Sequence, residues 1–218
     1  MTARGKLTVF EGVGASGKTT QIKLLSERLK FENIPHIISR EPGGTQFAEE
    51  LRSLLLKPTD EKIFPWTEAL LFFAARNQHV ENVIKPALAR GEHVILDRFV
   101  NSTYAIQCFH KGVDLENAKQ LSGITLNGFK PDKTVLLDIP FDVALDRMTQ
   151  RERRSRFDVM QREYLNDCIE GHRALAHANP EDHVIVYGHG DKLDIHEAIW
   201  TELQADLLPD EPILKPAI

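Results

Sequence analysis

Five short apolar runs punctuate the chain: LTVF at 7–10, HIIS at 36–39, HVILD at 93–97, KTVLLD at 133–138 and HVIVY at 183–187. Most are nearly continuous in hydrophobicity instead of alternating, as expected of strands covered on both faces. Between them, apolar residues recur three and four apart. QIKLLSERLK (21–30) and FAEELRSLLL (47–56) read as helices, as does TEALLFFAARNQHVENVIKPALARG (67–91), which ends near Gly91. Pro86 is expected to bend or restart that last helix, since proline lacks an N–H and crowds the preceding turn. Strands alternating with helices predict an α/β fold: a five-stranded parallel sheet flanked by helices. No repeat, low-complexity tract or linker interrupts the pattern, so residues 1–208 are expected to be one domain. The tail at 209–218, rich in proline, is expected to lie outside the packed core.

Composition narrows the class. A chain of 218 residues suits one good-sized α/β domain. A formal net charge of -5 gives no global attraction to nucleic acid or anionic membrane, so any basic site must be local. Cys108 and Cys168 lie far apart, without a CxxC or a Cys/His cluster, and read as reduced thiols. The opening MTARGKLTVFEG lacks the apolar stretch of a signal peptide, and no segment approaches the length of a bilayer span. The expectation is a soluble cytoplasmic protein with neither membrane nor nucleic acid as partner.

Specific chemistry enters where the first strand ends. Gly12-Val13-Gly14-Ala15-Ser16-Gly17-Lys18-Thr19 fits GxxxxGK[ST], with a strand before it and a helix after it. Such a loop aims successive backbone N–H groups at phosphate oxygens, and the helix N-terminus adds partial positive charge. Residues 12–20, Thr20 included, are therefore expected to hold ATP. Lys18 would reach its terminal phosphates and the Thr19 hydroxyl would ligand Mg²⁺. No guanine-reading NKxD segment is present, and motors or helicases are usually larger. A small-molecule kinase fits, provided a second anion site exists. Arg40 and the Asp97-Arg98 pair sit at strand ends, where ligands bind in open α/β sheets. Asp97 can face Mg²⁺ and Arg98 can grip a phosphate in bidentate fashion, the plain alternative being a structural ion pair.

The set REPGGT (40–45), FFAARNQHVENVIKPAL (72–88), ILDRFVNSTYA (95–105) and the phosphate loop resembles thymidylate kinase of the bacterial type, a P-loop nucleoside monophosphate kinase. The resemblance runs from about Leu7 to about Ala178. It implies phosphorylation of dTMP to dTDP with MgATP by a homodimer packed through helices. It also assigns roles. Phe72 would stack on thymine, and Arg76, one helical turn later, would hydrogen-bond a base carbonyl; Phe72 as plain core is the alternative, since Leu70, Leu71 and Phe73 surround it. Arg98 would hold the acceptor phosphate, Asp97 the magnesium side, Ser102 and Thr103 the base edge, and Pro42 the sugar. Glu11 would support the loop.

DVALDRMTQRERRSRFD (142–158) matches the arginine-rich lid, placed at about 147–158, with Arg147, Arg151 and Arg156 at the corresponding places. Ala15 leaves the third variable loop position neutral. The transition-state cation is thus expected from the lid, as Arg151 with Arg156 the competitor. Departures cluster on the acceptor sugar. Gly14 stands where the family usually has Asp or Glu near the 3′-hydroxyl, and Ile106 where it usually has a tyrosine near the 2′ carbon. Asp158 replaces a glutamate, and Tyr187-Gly188 an Asp-Ala/Gly pair near adenine. Three readings follow: a dTMP kinase with weakened sugar reading, a kinase of the same family for another pyrimidine deoxynucleotide, or a nucleotide-binding relative without catalysis. The arginine-rich lid argues against the last.

Overall fold

The computed structural model describes residues 4–150 and 162–208. Strands β1 (Leu7–Glu11), β2 (His36–Arg40), β3 (His93–Asp97), β4 (Lys133–Asp138) and β5 (His183–Tyr187) form one parallel sheet in the order β2-β3-β1-β4-β5. All five expected strands are present, within one residue at either end. The central strand β1 is buried at every position, whereas the edge strands β2 and β5 are only partly covered. With β1 in the middle, the chain winds first to one side and then to the other. The switch point, the crevice where such sheets bind ligands, lies at the C-terminal end of β1 between β3 and β4.

The helices are α1 (Lys18–Phe31), α2 (Gln46–Leu56), α3 (Pro65–His79), α4 (Lys85–Ala89), α5 (Val100–Thr103), α6 (Leu115–Leu126), α7 (Phe141–Thr149), α8 (Arg162–Ala178) and α9 (Lys192–Leu207). Strand alternation sorts the core. Phe10, Ile95, Val135 and Leu137 pack against Ile22, Leu25 and Leu29 of α1 and Ile199 and Leu203 of α9. Val9, Val94 and Leu96 point the other way, onto Val80, Ile84, Leu88 and Phe99.

The helix expected over 67–91 begins at Pro65 and is split. A π-helical turn, Val80–Ile84, separates α3 from α4, with the Lys85 N–H donating five residues back to the Val80 carbonyl. The widened turn falls just ahead of Pro86, where a proline cannot complete the ordinary ladder. A second π-helical segment, Tyr104–His110, continues α5, and the Lys111 N–H donates to the Ile106 carbonyl at 3.1 Å. Hydrophobic spacing announces neither. Among the described residues no helix is long and apolar enough to cross a membrane.

Candidate active site

The phosphate loop leaves β1 through Gly12 at φ 135°, where a Cβ would lie 2.7 Å from the Leu137 carbonyl oxygen, so only glycine fits. α1 then opens at Lys18 without a side-chain cap, which leaves its first N–H groups to a ligand. The Lys18 ammonium lies over the loop, donating to the Gly12 and Val13 carbonyls at 2.9 and 3.0 Å. Thr19 and Thr20 are exposed on the first turn. Behind the loop, buried Glu11 accepts from the Phe99 N–H at 2.8 Å, the Ser102 N–H at 3.1 Å and the Ser102 hydroxyl at 2.6 Å. Burial pushes this carboxyl upward against the opposing pull of Arg98, Ser102, the Phe99 N–H and Lys18. Glu11 therefore ties the β1 end to the turn after β3.

Two clefts flank the loop. The larger, about 340 Å³, gathers Gly14, Arg40, Pro42, Phe72, Arg76, Asp97, Arg98, Ser102, Thr103 and Ile106, every residue expected on the acceptor side. Arg76 is 2 % exposed; its Nε donates to Glu41 at 2.6 Å, and its Nη2 to the Phe99 carbonyl and the Thr103 hydroxyl, both at 3.0 Å. His79 Nδ1 lies 3.3 Å from the other Glu41 oxygen. Arg76 Nη1 is buried without a partner among the described residues. Such an atom calls for a ligand or water acceptor, because a desolvated donor left unpaired is costly. Arg98 holds a left-handed backbone, φ 71°, and donates through Nη1 to the Ser102 hydroxyl at 2.8 Å. Such a conformation is strained for a residue with a side chain and turns Arg98 out of the strand line at the switch point. Arg40 lines the same cleft while paired with Glu49 at 3.0 Å.

The smaller cleft, about 240 Å³, lies on the other side of the loop and gathers Ala15, Ser16, Gly17 and Thr20 with Gln21, Arg147, Gly188 and Lys192. Arg147 Nη1 approaches the Ala15 and Gly188 carbonyls at 3.4 and 3.3 Å. Its neighbour Met148 lines the larger cleft instead, beside Gly14. Of the expected lid, Arg151, Arg153, Arg154, Arg156 and Asp158 lie outside the described residues.

Several residues of the larger cleft carry no signal in the sequence. Arg52 donates to the Pro42 carbonyl at 2.8 Å, and burial, then the Arg40 charge, lower its pKa. Together with Arg40 and Arg98 it concentrates positive charge suited to a phosphate. Gln107 and Tyr164 also line the cleft, and among the described residues the Gln107 Oε1 is buried without a partner. Glu41 appeared in REPGGT only as part of a pattern; its charge pair with a buried arginine needs the fold to be seen. His172, buried in α8, is held well below the usual imidazole value by desolvation, then by Arg98 and Lys18.

The donor set also bears on a cation. Among the described residues Asp97 Oδ1 is buried without a partner and Thr19 presents a hydroxyl, oxygen ligands of the kind that hard cations prefer. No cluster of three or more His, Cys, Asp or Glu exists among the described residues, so an ion here would take its other ligands from phosphate and water, as Mg²⁺ does.

Residues 10–199 match the family model described as thymidylate kinase. The chain is 41% identical to a thymidylate kinase of Pelotomaculum thermopropionicum over 184 residues, 84% of this chain and 85% of that one. It is 39% identical to a thymidylate kinase of Desulforudis audaxviator over 209 residues, 95% of this chain and 94% of that one. Its fold is similar to the crystal structure of thymidylate kinase from Ehrlichia chaffeensis, with a TM-score of 0.74 and 29% identity over 92% of this chain and 100% of that one.

Proposed function

Because the chain belongs to the thymidylate kinase family, and as such phosphorylates dTMP to dTDP with ATP in dTTP supply for DNA replication, we propose how its own residues divide that work. The larger cleft takes dTMP and the smaller takes ATP, with the transferred phosphoryl passing beside the loop. The observation that carries this division is Arg76. A buried guanidinium with one unsatisfied donor, one turn from Phe72, suits a flat base carrying a carbonyl, and Arg98, Arg40 and Arg52 gather for its phosphate.

The acceptor phosphate oxygen is anionic near neutral pH, so the reaction needs no strong general base. Catalysis consists of holding two polyanions in line, neutralising spread charge and excluding water. Lys18 and the loop N–H groups hold the donor phosphates. Arg98, fixed by Ser102, holds the acceptor. Thr19 and Asp97 would hold Mg²⁺, which neutralises charge on the donor phosphates when bound. Lid closure over 147–158 brings Arg151, or Arg156 in its place, to the moving phosphoryl. Residues 1–208 act as one catalytic unit.

The sugar is read weakly. Gly14 offers no side chain, and Ile106 packs with Tyr164 and Met148 as an apolar wall. Acceptor choice therefore rests on base and phosphate. We further propose a cytoplasmic homodimer joined through α2, α3 and α6. Phe47, Leu54, Trp66, Leu70 and Ile124 are large apolar residues exposed on these helices, which pack in the order α2-α3-α6.

An ADP-release assay with MgATP and dTMP, dUMP, UMP, dCMP, dGMP or no acceptor tests the division. Preference for dTMP supports it. Preference for another monophosphate would show that Gly14 and Ile106 have redirected the acceptor, and ADP release only in the blank would refute it. In the same assay Arg151→Ala is expected to lower kcat by orders of magnitude with little change in ATP affinity, since its contact strengthens only as charge moves.

A further inference from the structure

Glu68, Phe72 and Arg76 stand one turn apart on the same face of α3. The outer two belong to different polar clusters, and the Glu68 cluster has no role in the division of labour above. Glu68 is fully buried. Its Oε2 accepts from the Lys111 ammonium at 2.6 Å and from the Gln107 side-chain amide Nε2 at 3.2 Å. Gln107 sits in the π-helical segment Tyr104–His110, is 1 % exposed and lines the acceptor cleft. The other end of its amide, Oε1, is buried with no partner among the described residues.

A carboxylate paired with an ammonium can only accept hydrogen bonds. It therefore dictates which end of the Gln107 amide it receives: the NH₂ group turns to Glu68 and the carbonyl oxygen is left over. Two unsatisfied buried atoms of opposite character then serve one cleft, the Arg76 Nη1 donor and the Gln107 Oε1 acceptor. A pyrimidine with a carbonyl at position 4 beside an N3–H offers the complementary acceptor and donor. Cytosine offers the reverse, an amino group beside a bare N3.

We propose that Glu68, charge-balanced by Lys111, is a positioning residue that locks the Gln107 amide with its oxygen toward the base and so selects N3–H pyrimidines over cytosine. The inference rests on the acceptor reading of the larger cleft. It adds that base choice is set by a carboxylate that never touches the base. A site built around a hydrogen-bonding pattern rejects the mismatched analogue far better than shape alone does, because mismatched groups are left buried and unpaired.

The test compares kcat/KM for dTMP and dCMP in three proteins. In Glu68→Gln/Lys111→Met the anchor becomes an amide that can donate as well as accept, and the Gln107 amide is free to turn over. The dTMP-to-dCMP ratio is expected to fall by about tenfold or more, mainly through a raised KM for dTMP and improved use of dCMP, with kcat for dTMP little changed. In Glu68→Gln/Gln107→Glu, with Lys111 kept, the anchor donates and position 107 presents a carboxylate oxygen whichever way it turns. The ratio is expected to stay at or above that of the unaltered protein. A merely structural role for Glu68 would lower both kcat/KM values together and leave the ratio unmoved, which would overturn the inference, as would loss of selectivity in the exchange variant. Unaltered protein that forms no dTDP would instead overturn the acceptor reading, and this inference with it.

Discussion

Removing Glu41 tests whether Arg76, proposed to read the base, is held by charge or only by shape. Both side chains of the Glu41–Arg76 pair are 2 % exposed, and their closest approach is 2.6 Å. Glu41→Met strips a buried guanidinium of its carboxylate and leaves it only neutral acceptors, the Phe99 carbonyl and the Thr103 hydroxyl. Breaking a buried pair from one side costs about 3–5 kcal/mol, which in a protein of this size lowers Tm by roughly 6–20 °C. Arg76→Met is expected to lose a similar amount, because it takes from the buried Glu41 carboxylate its 2.6 Å guanidinium partner and leaves His79 at 3.3 Å. Glu41→Met/Arg76→Met removes both charges and is expected to be less destabilised than the sum of the single variants by about 3 kcal/mol or more. Urea and thermal melts of the four proteins give this cycle. Initial rates should show a raised KM for dTMP and an unchanged KM for ATP in every variant. Losses that add to within about 0.5 kcal/mol, with an unaltered KM for dTMP in Glu41→Met, would refute the reasoning.

Other outcomes follow from the same geometry. Arg98→Lys keeps the charge but loses the planar fork and the bond to Ser102, so kcat/KM for dTMP is expected to fall about 10²–10³-fold while KM for ATP holds; a loss under tenfold would remove Arg98 from the acceptor phosphate. A Cβ at Gly14 would have Met148 atoms as its nearest described neighbours, at 3.6–4.0 Å, so Gly14→Asp is expected to fold and to raise kcat/KM for dTMP about tenfold by adding a charged acceptor near the sugar. No gain would show that the sugar lies elsewhere. His172 titrates well below its usual 6.5 in the folded protein, so the unfolded chain takes up that proton first as pH falls. Its contribution to stability is therefore complete above that value and lost below it, at up to about 1.4 kcal/mol per pH unit. His172→Phe should flatten the loss of stability between roughly pH 6.5 and 5 by one proton, measured from urea midpoints. An unchanged slope would contradict it.

The sheet was legible because strands covered on both faces leave long apolar runs, and the phosphate loop because its glycines, lysine and threonine sit between a strand and a helix. Even the edge strand HIIS was found, although it is only partly buried. What stayed hidden depends on where distant segments meet. Glu68 lies in an apolar helical stretch and nothing in its neighbours says that Lys111 and Gln107 close over it. Arg52 looks like any polar position on a surface helix until β2 and β3 bring Arg40 and Arg98 beside it. The π-helical turns have no hydrophobic period of their own, yet Tyr104–His110 presents both Ile106 and Gln107 to the acceptor cleft. The arginines of 147–158 form a pattern in the sequence, but of those expected in the lid only Arg147 falls among the described residues.

Arg147 and Met148 are consecutive residues of α7, and successive side chains of a helix diverge by about 100°. Arg147 lines the smaller cleft, proposed for ATP, and Met148 the larger, proposed for dTMP, so α7 is a wall common to both. A wall with two rooms cannot shift for one tenant alone. If ATP draws Arg147 toward its phosphates, Met148 moves with it beside Gly14, and the space left for the acceptor sugar changes. Linkage then requires that whatever factor ATP applies to dTMP affinity, dTMP applies to ATP affinity in return. Substituting Met148 should alter that mutual factor from a position that lines the larger cleft and not, among the described residues, the smaller one.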